Sequence, residues 1–75
     1  MIVKLYGVLT DHTKTHQIEI PAVGDTEALM TYLESKFPGI GIFSIRIAVN
    51  NILVEGKTSL AAGDTVSLIP PFPGG

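Results

Sequence analysis

Five short stretches of the chain alternate apolar with polar residues or cluster β-branched residues, and each predicts a β-strand. They are residues 1–9, 17–20, 45–49, 52–54 and 65–69. Because side chains alternate along a strand, Val3 and Leu5 share one face of the first strand, and Val66 and Leu68 share one face of the last. The inward positions of the other strands are Ile18, Ile20, Ile45, Ile47 and Val49. The polar residues 10–15 predict a turn that joins the first two strands in an antiparallel hairpin.

One longer segment, residues 26–37, has apolar residues at helical spacing and predicts the main helix. Asp25 or Thr26 is expected to cap its amino end, since either side chain accepts a hydrogen bond from the first backbone N–H groups. Pro38 and Gly39 end the helix. The apolar stripe consists of Leu29, Leu33 and Phe37, with Met30 beside it.

The remaining segments predict turns. Asn50 and Asn51 form a tight turn, because asparagine tolerates positive φ. Residues 59–62 predict a single helical turn, and Gly63 and Asp64 a turn before the last strand. The order hairpin, helix, short strands and final strand indicates an α+β domain of the β-grasp, ubiquitin-like type. We expect a mixed sheet with one main helix on one face and the final strand beside the first.

The last six residues predict an extended tail. Three prolines lock φ and remove backbone donors, which forbids a helix and disfavours sheet pairing. Two glycines follow, so a carboxylate on Gly75 is unhindered by a neighbouring side chain. We therefore divide the chain into a domain, residues 1–69, and a tail, residues 70–75. The tail is Pro70, Pro71, Phe72, Pro73, Gly74 and Gly75.

The composition is that of one small folded domain. Of the 75 residues, 45% are hydrophobic and 16% charged, which argues against disorder and predicts some exposed apolar surface. The net charge of −2 and the lack of a basic run argue against nucleic-acid binding. The absence of cysteine excludes disulfides and cysteine nucleophiles. With no basic leader and no long apolar run, a cytoplasmic protein without membrane contact is expected.

Few side chains suggest chemistry. His12 and His16 lie four residues apart but flank a predicted hairpin tip, so we interpret them as solvated loop residues and expect no metal site. Residues 24–26 and 63–65 both read Gly-Asp-Thr but lack the lysine of a phosphate-binding loop. The serines have no histidine and carboxylate at a triad-like spacing. Arg46 is interpreted as a surface charge.

The Gly75 carboxylate is the remaining candidate. A carboxylate reacts as an electrophile only after its oxygen becomes a good leaving group, as in an acyl adenylate. The chain has no visible nucleotide or metal site, so ATP and Mg²⁺ are expected to be bound by an activating partner rather than by this chain. The adenylate can then accept sulfur, which gives a terminal thiocarboxylate, or an amine, which gives an isopeptide bond.

These features resemble the MoaD/ThiS family of ubiquitin-like sulfur carriers. The resemblance covers nearly the whole chain and is carried by residues 48–54 (AVNNILV), Leu60, residues 63–66 (GDTV) and residues 68–75 (LIPPFPGG). The Val-Asn turn, the Gly-Asp turn and the Gly-Gly ending are common to the family. The pair Pro70 and Pro71, four residues before Gly-Gly, leans towards the MoaD branch, the small subunits of molybdopterin synthase.

The resemblance implies a cycle of sulfur transfer. An adenylating enzyme related to the ubiquitin activators adenylates Gly75, sulfur is loaded there, and a larger catalytic synthase subunit receives the tail. The thiocarboxylate then donates sulfur to a pterin precursor of the molybdenum cofactor. Gly75 is the matching carrier residue and Gly74 its slender neighbour. Phe72 and Pro73 are bulkier than the residues often found at these positions, so the acceptor must admit a phenyl ring and a proline.

Other functions stay open from the residues alone. They are a sulfur carrier for thiamin thiazole, cysteine, tRNA thiolation or tungsten cofactor, a ubiquitin-like modifier attached to lysines, and a plain interaction domain. In each reading the chain is not an enzyme by itself. Alternation turns Tyr6, Ala48 and Ile69 away from the helix-covered core, and they predict a partner-binding patch that continues into Pro70 to Pro73.

Overall fold

Alternating apolar residues build a five-stranded mixed sheet in the computed structural model, which describes residues 1–71. The strands are β1 (Ile2–Leu5), β2 (Gln17–Glu19), β3 (Arg46–Val49), β4 (Ile52–Val54) and β5 (Thr65–Ile69). They lie in the order β2-β1-β5-β3-β4. Strands β1 and β5 are parallel and the other pairs antiparallel, so the predicted hairpin and the predicted placing of the last strand beside the first are confirmed.

The inward positions predicted for the first and last strands form the centre of the core, whereas Ile18, Ile45, Ile47 and Val49 are only partly buried. Val3, Leu5, Val66 and Leu68 are all at most 2% exposed. They belong to one cluster with two helical leucines, Leu29 and Leu33, and with Leu9, Ile20 and Ile40. The main helix therefore covers one face of the sheet, as the β-grasp fold requires.

The main helix, α2 (Thr26–Lys36), begins and ends close to the prediction. Asp25 is the N-cap, and its carboxylate accepts a hydrogen bond of 2.8 Å from the Ala28 N–H. Leu29 and Leu33 are fully buried. Phe37 lies just after the helix as its C-cap and packs half-buried against the core.

The prediction of one strand over residues 1–9 and a turn over 10–15 is wrong. The first strand stops at Leu5, and a short helix, α1 (Val8–Thr13), stands where the hairpin tip was expected. Gly7, at φ 55°, breaks the strand, and the helix buries Leu9 and Thr13, one turn apart. The Thr13 hydroxyl donates to the Leu9 carbonyl oxygen at 2.9 Å, so its polar group is satisfied in the buried position.

The helical turn predicted over residues 59–62 is also wrong. Ser59 instead forms an antiparallel bridge with Asp25, and the Leu60 N–H donates to the Gly24 carbonyl oxygen at 2.9 Å. The Thr26 N–H donates to the Thr58 carbonyl oxygen at 2.9 Å. These bonds hold the segment extended against the amino end of α2, and the bond from Thr26 satisfies an N–H group that a helix start leaves unpaired.

A 3₁₀ turn, Ile40–Ile42, connects α2 to β3 within the segment predicted to be an apolar connector. Ile40 is fully buried, whereas Ile42 is 84% exposed. No helix among residues 1–71 has the length and apolar character needed to cross a membrane.

Candidate functional site

The tail leaves the domain directly from β5, whose last residue is Ile69. Pro70 is buried against the domain and Pro71 is exposed. The predicted carrier residues Gly74 and Gly75, together with Phe72 and Pro73, lie outside the described residues. The assignment of the reactive carboxylate to Gly75 therefore stays a prediction.

An open groove surrounds the base of the tail, and we call it the tail-base groove. Four residues that sequence analysis assigned to partner binding line it: Tyr6, Ala48, Ile69 and Pro70. Four that it did not assign complete it: Gly7, Asn51, Leu53 and Ser67. The structure thus brings the predicted patch residues together at the point where the tail begins.

Strand pairing explains why these residues meet. Ala48 on β3 lies opposite Leu53 on β4 and opposite Ser67 on β5. Because neighbours across a sheet share a face, all three point to the face opposite the one formed by Val66 and Leu68 in the core. The groove therefore occupies the sheet face that α2 leaves uncovered.

The groove has a covered floor and exposed walls. Ala48 is only 5% exposed and Ser67 only 6%, so Ala48 forms floor rather than the exposed patch that alternation alone had suggested. Tyr6 is 46% exposed and Leu53 54% exposed, and they offer apolar surface above it. None of the eight lining residues carries a charge at neutral pH. This arrangement suits the binding of an apolar protein surface.

Leu53 was missed as a site residue because its three-residue strand does not reveal its own orientation, whereas Ser67 was placed on the outward face but not assigned to partner binding. The available signal was the Asn-Asn turn. A two-residue turn pairs the residues on either side of it, which places Leu53 on the Ala48 face.

That turn is also fixed to the start of β5. Asn50 and Asn51 both have positive φ, 50° and 69°, as predicted for a tight hairpin. The Asn50 side chain accepts from the Thr65 N–H and donates to the Asp64 carboxylate, each at 3.0 Å. The Ala61 N–H and, to a smaller extent, the Asn50 amide lower the pKa of Asp64, because both donate to its charged form. Asp64 is thus a structural carboxylate that ties two turns together.

A second carboxylate, Glu34, joins α2 to the 3₁₀ turn. Its two oxygens accept hydrogen bonds of 2.8 Å from the N–H groups of Gly39 and Gly41. These two bonds lower the pKa of Glu34, with the Gly39 bond making the larger contribution. Glu34 lies outside the tail-base groove. Its lowered pKa reflects the two hydrogen bonds that hold the loop after α2 in place.

The substitution Glu34→Gln is expected to lower the melting temperature at neutral pH. Folding lowers the pKa of Glu34 below its ordinary value of 4.5, so its stabilisation is present above that value and is lost as pH falls through the folded-state pKa. The difference in melting temperature between wild type and variant should therefore close on acidification. Thermal unfolding followed by circular dichroism at a series of pH values measures it. Glu19→Gln, at an exposed strand position, is the control. A difference that does not change with pH would contradict the assigned role of the charge.

The other polar candidates do not form a site. His12 is on α1 rather than in a solvated loop: its Nε2 lies 3.1 Å from the Pro38 carbonyl oxygen, and its ring stacks edge-on against Phe43. Within residues 1–71 no three histidine, aspartate or glutamate side chains are grouped to hold a metal ion. Arg46 is an exposed surface charge, as predicted, and its guanidinium lies 4.0 Å from the Glu55 carboxylate.

Comparison with known proteins agrees with this geometry. The fold is similar to that of SAMP1 from Haloferax volcanii, with a TM-score of 0.80 over 99% of this chain and 97% of that one, at 22% identity. It is also similar to a protein in the complex of subunits 1 and 2 of the molybdopterin-converting factor from Helicobacter pylori 26695. In that case the TM-score is 0.70 and the identity 29%, over 99% of this chain and 96% of the other. No curated protein sequence matches the chain significantly. The sequence model of the ThiS family matches residues 3–75. The chain therefore belongs to the ThiS family of ubiquitin-like, MoaD-type sulfur carriers.

Proposed function

We propose that the chain carries sulfur as a thiocarboxylate on Gly75 and delivers it for the synthesis of molybdopterin. The observation that carries this proposal is the 29% identity, over almost the whole of both chains, to a protein of the Helicobacter pylori molybdopterin-converting factor. Membership of a sulfur-carrier family and the Gly-Gly ending support the carrier chemistry. The likeness to SAMP1 concerns the fold alone.

The proposed loading reaction uses groups that a partner must supply. A Gly75 carboxylate oxygen attacks the α-phosphorus of ATP, with Mg²⁺ held by a ubiquitin-activator-like adenylating enzyme, and pyrophosphate leaves. A sulfur donor at the oxidation level of sulfide then attacks the acyl carbon, and AMP leaves. The product is a terminal thiocarboxylate in which sulfur replaces one oxygen. This chain contributes the carboxylate and its access, since glycines add no bulk beside it.

Delivery requires a second partner, and the tail-base groove suits it. The groove is apolar, uncharged and continuous with Pro70, from which the tail leaves the domain. A larger synthase subunit that covers the groove would receive the tail in a fixed direction. The two-subunit assembly of the Helicobacter pylori protein supports a heteromeric role for this chain.

The substitution Ile69→Asp is expected to raise the dissociation constant for the larger subunit at least about tenfold, because truncating or charging a central apolar anchor costs about 2 kcal/mol or more. Ile69 is half-buried at the groove, and its side chain is on the face away from the core. Ile42→Asp is the matched control, since Ile42 is 84% exposed and lies outside the groove. Calorimetric titration measures both affinities. Equal binding by the two folded variants would remove Ile69 from the interface.

The choice of pathway is tested by reconstitution. The thiocarboxylated chain is mixed with the larger molybdopterin synthase subunit and pterin precursor from the same cells, and molybdopterin is measured by fluorescence after oxidation. One turnover should consume thiocarboxylate and form product, whereas the chain with an ordinary carboxylate should form none. Loss of sulfur to a different acceptor, with no pterin product, would assign the carrier to another pathway. Gly-Gly remnants on lysines of other proteins, without sulfur transfer, would identify a modifier.

A further inference from the structure

The Pro70 ring lies so close to Gly7 that a β-carbon at position 7 would collide with it. A β-carbon built on Gly7 would lie 2.9 Å from the Pro70 Cγ, closer than real β-carbons approach other atoms. The backbone of Gly7, at φ 55° and ψ −134°, is a conformation that essentially only glycine adopts. The buried Pro70 ring therefore packs directly on the bare α-carbon of Gly7.

Gly7 lies between two regular elements, β1 and α1, whereas only β5 precedes Pro70. Gly7 comes two residues after Leu5 and Pro70 two residues after Leu68, and these two leucines are paired in the parallel strands β1 and β5. On the Gly7 side, the carbonyl oxygen accepts a hydrogen bond of 3.0 Å from the Thr10 N–H in the first turn of α1. Gly7 is thus anchored to the domain, whereas Pro70 leads into the tail.

We propose that Gly7 is a positioning residue, whose bare α-carbon seats Pro70 and so sets the direction in which the tail leaves the domain. This inference rests on the proposed function of Gly75 and adds a residue to it. Proline fixes φ near −65°, so Pro70 and Pro71 leave few rotations between the seat and the rest of the tail. Five residues follow Pro70 and can extend about 16–18 Å, which turns a small rotation at the seat into a large displacement of Gly75.

The substitution Gly7→Ala tests the packing of Pro70 on Gly7. To restore the 3.4 Å of ordinary van der Waals contact from 2.9 Å, the Pro70 ring must move by at least about 0.5 Å. The expected result is a kcat for adenylation at least about tenfold lower, because displacements near 1 Å can cost about a hundredfold in rate. The KM should stay within about twofold, since the substitution adds one methyl group, directed at Pro70, and leaves the other exposed side chains unaltered. A substitution that only destabilised the domain would not separate kcat from KM in this way.

Three further variants separate the effect of displacing the Pro70 ring from the effect of adding a β-carbon at a glycine with positive φ. Gly56→Ala places an alanine at another positive φ, 68°, with no atom within 4 Å, so it adds a β-carbon to a glycine of this kind without a collision and should keep the wild-type kcat. Pro70→Ala removes the ring while Gly7 stays native, and it should lower kcat in a folded domain. In the double variant Gly7→Ala/Pro70→Ala no ring remains to collide, so kcat should equal that of Pro70→Ala alone.

The outcomes distinguish this inference from the proposed function. A nuclear Overhauser effect between the Gly7 α-protons and the Pro70 γ-protons should be present in the wild type. Its absence would show, independently of any activity, that Pro70 does not pack on Gly7. If the wild type is adenylated and folded Pro70→Ala keeps the wild-type kcat, the positioning role is wrong while the carrier function stands. If the wild type is not adenylated by its activating enzyme, the proposed function fails and the positioning role fails with it. Should Gly7→Ala not fold, Pro70→Ala decides the question.

Discussion

Adding one residue after Gly75 is expected to reduce adenylation about a hundredfold or more. The addition moves the carboxylate by about 3.3–3.6 Å along an extended chain, and misplacement by 1 Å can already cost about a hundredfold in rate. The domain should fold and bind its partners as before, because no residue of the tail-base groove changes. ATP–pyrophosphate exchange with the cognate activating enzyme measures the effect. Gly74→Val should act in the same direction, by adding bulk where the wild type has none.

A trimming control makes this prediction specific. Removal of the added residue by a carboxypeptidase, checked by mass, should restore the exchange rate of the wild type. If the extended chain were activated at the wild-type rate without trimming, the activating enzyme would not depend on the position of the terminal carboxylate, and the prediction would be wrong.

The second large effect is on stability. Truncating Leu33 to alanine is expected to cost about 2–5 kcal/mol, because it removes a buried side chain and leaves a cavity between α2 and the sheet. Leu33 is fully buried in the core cluster. Urea denaturation followed by circular dichroism measures the free energy of unfolding. A small domain has only about 5–15 kcal/mol in total, so the loss is a large fraction of its stability.

Ile42→Ala is the matched control for this measurement. Ile42 is an apolar residue of similar size that is 84% exposed, so its truncation should change stability by no more than about 0.5 kcal/mol. A loss of that small size for Leu33→Ala would contradict the placing of this helix face against the sheet.

The sheet and the main helix could be predicted because their apolar periods are regular and their ends are marked. Val3, Leu5, Val66 and Leu68 alternate as strand residues do, and all four are buried. For the main helix, Asp25 marks the amino end with its capping side chain. Local pattern and tertiary burial agree in these elements, which is why the sequence alone predicted them.

The short helix α1 could not be predicted in the same way. It buries only Leu9 and Thr13, too few for a helical stripe, and its sequence, VLTDHT, is rich in residues with weak helix propensity. What ends the preceding strand is the backbone conformation of Gly7, and glycine occurs in many other conformations as well. Tertiary packing, rather than local preference, decides the structure of this segment.

The candidate site was partly predictable. Alternation placed Tyr6, Ala48 and Ile69 on one face, and the structure brings them together. The register that adds Leu53 to this face is local and could have been taken from the Asn-Asn turn. The contact between Gly7 and Pro70 depends on the pairing of distant strands, which a single sequence does not contain. The assignment of Gly75 as the carrier residue stays a prediction from the sequence and from membership of the family.

The most direct test of the account is the intact mass of the chain after incubation with its activating enzyme, Mg-ATP and a sulfur donor. Replacing one terminal oxygen by sulfur adds about 16 Da, and fragmentation should locate this increase on Gly75. The increase is expected only when ATP is present. An unchanged mass while the enzyme and donor are shown to load a known carrier, or an increase located on another residue, would contradict the claim that Gly75 carries the sulfur.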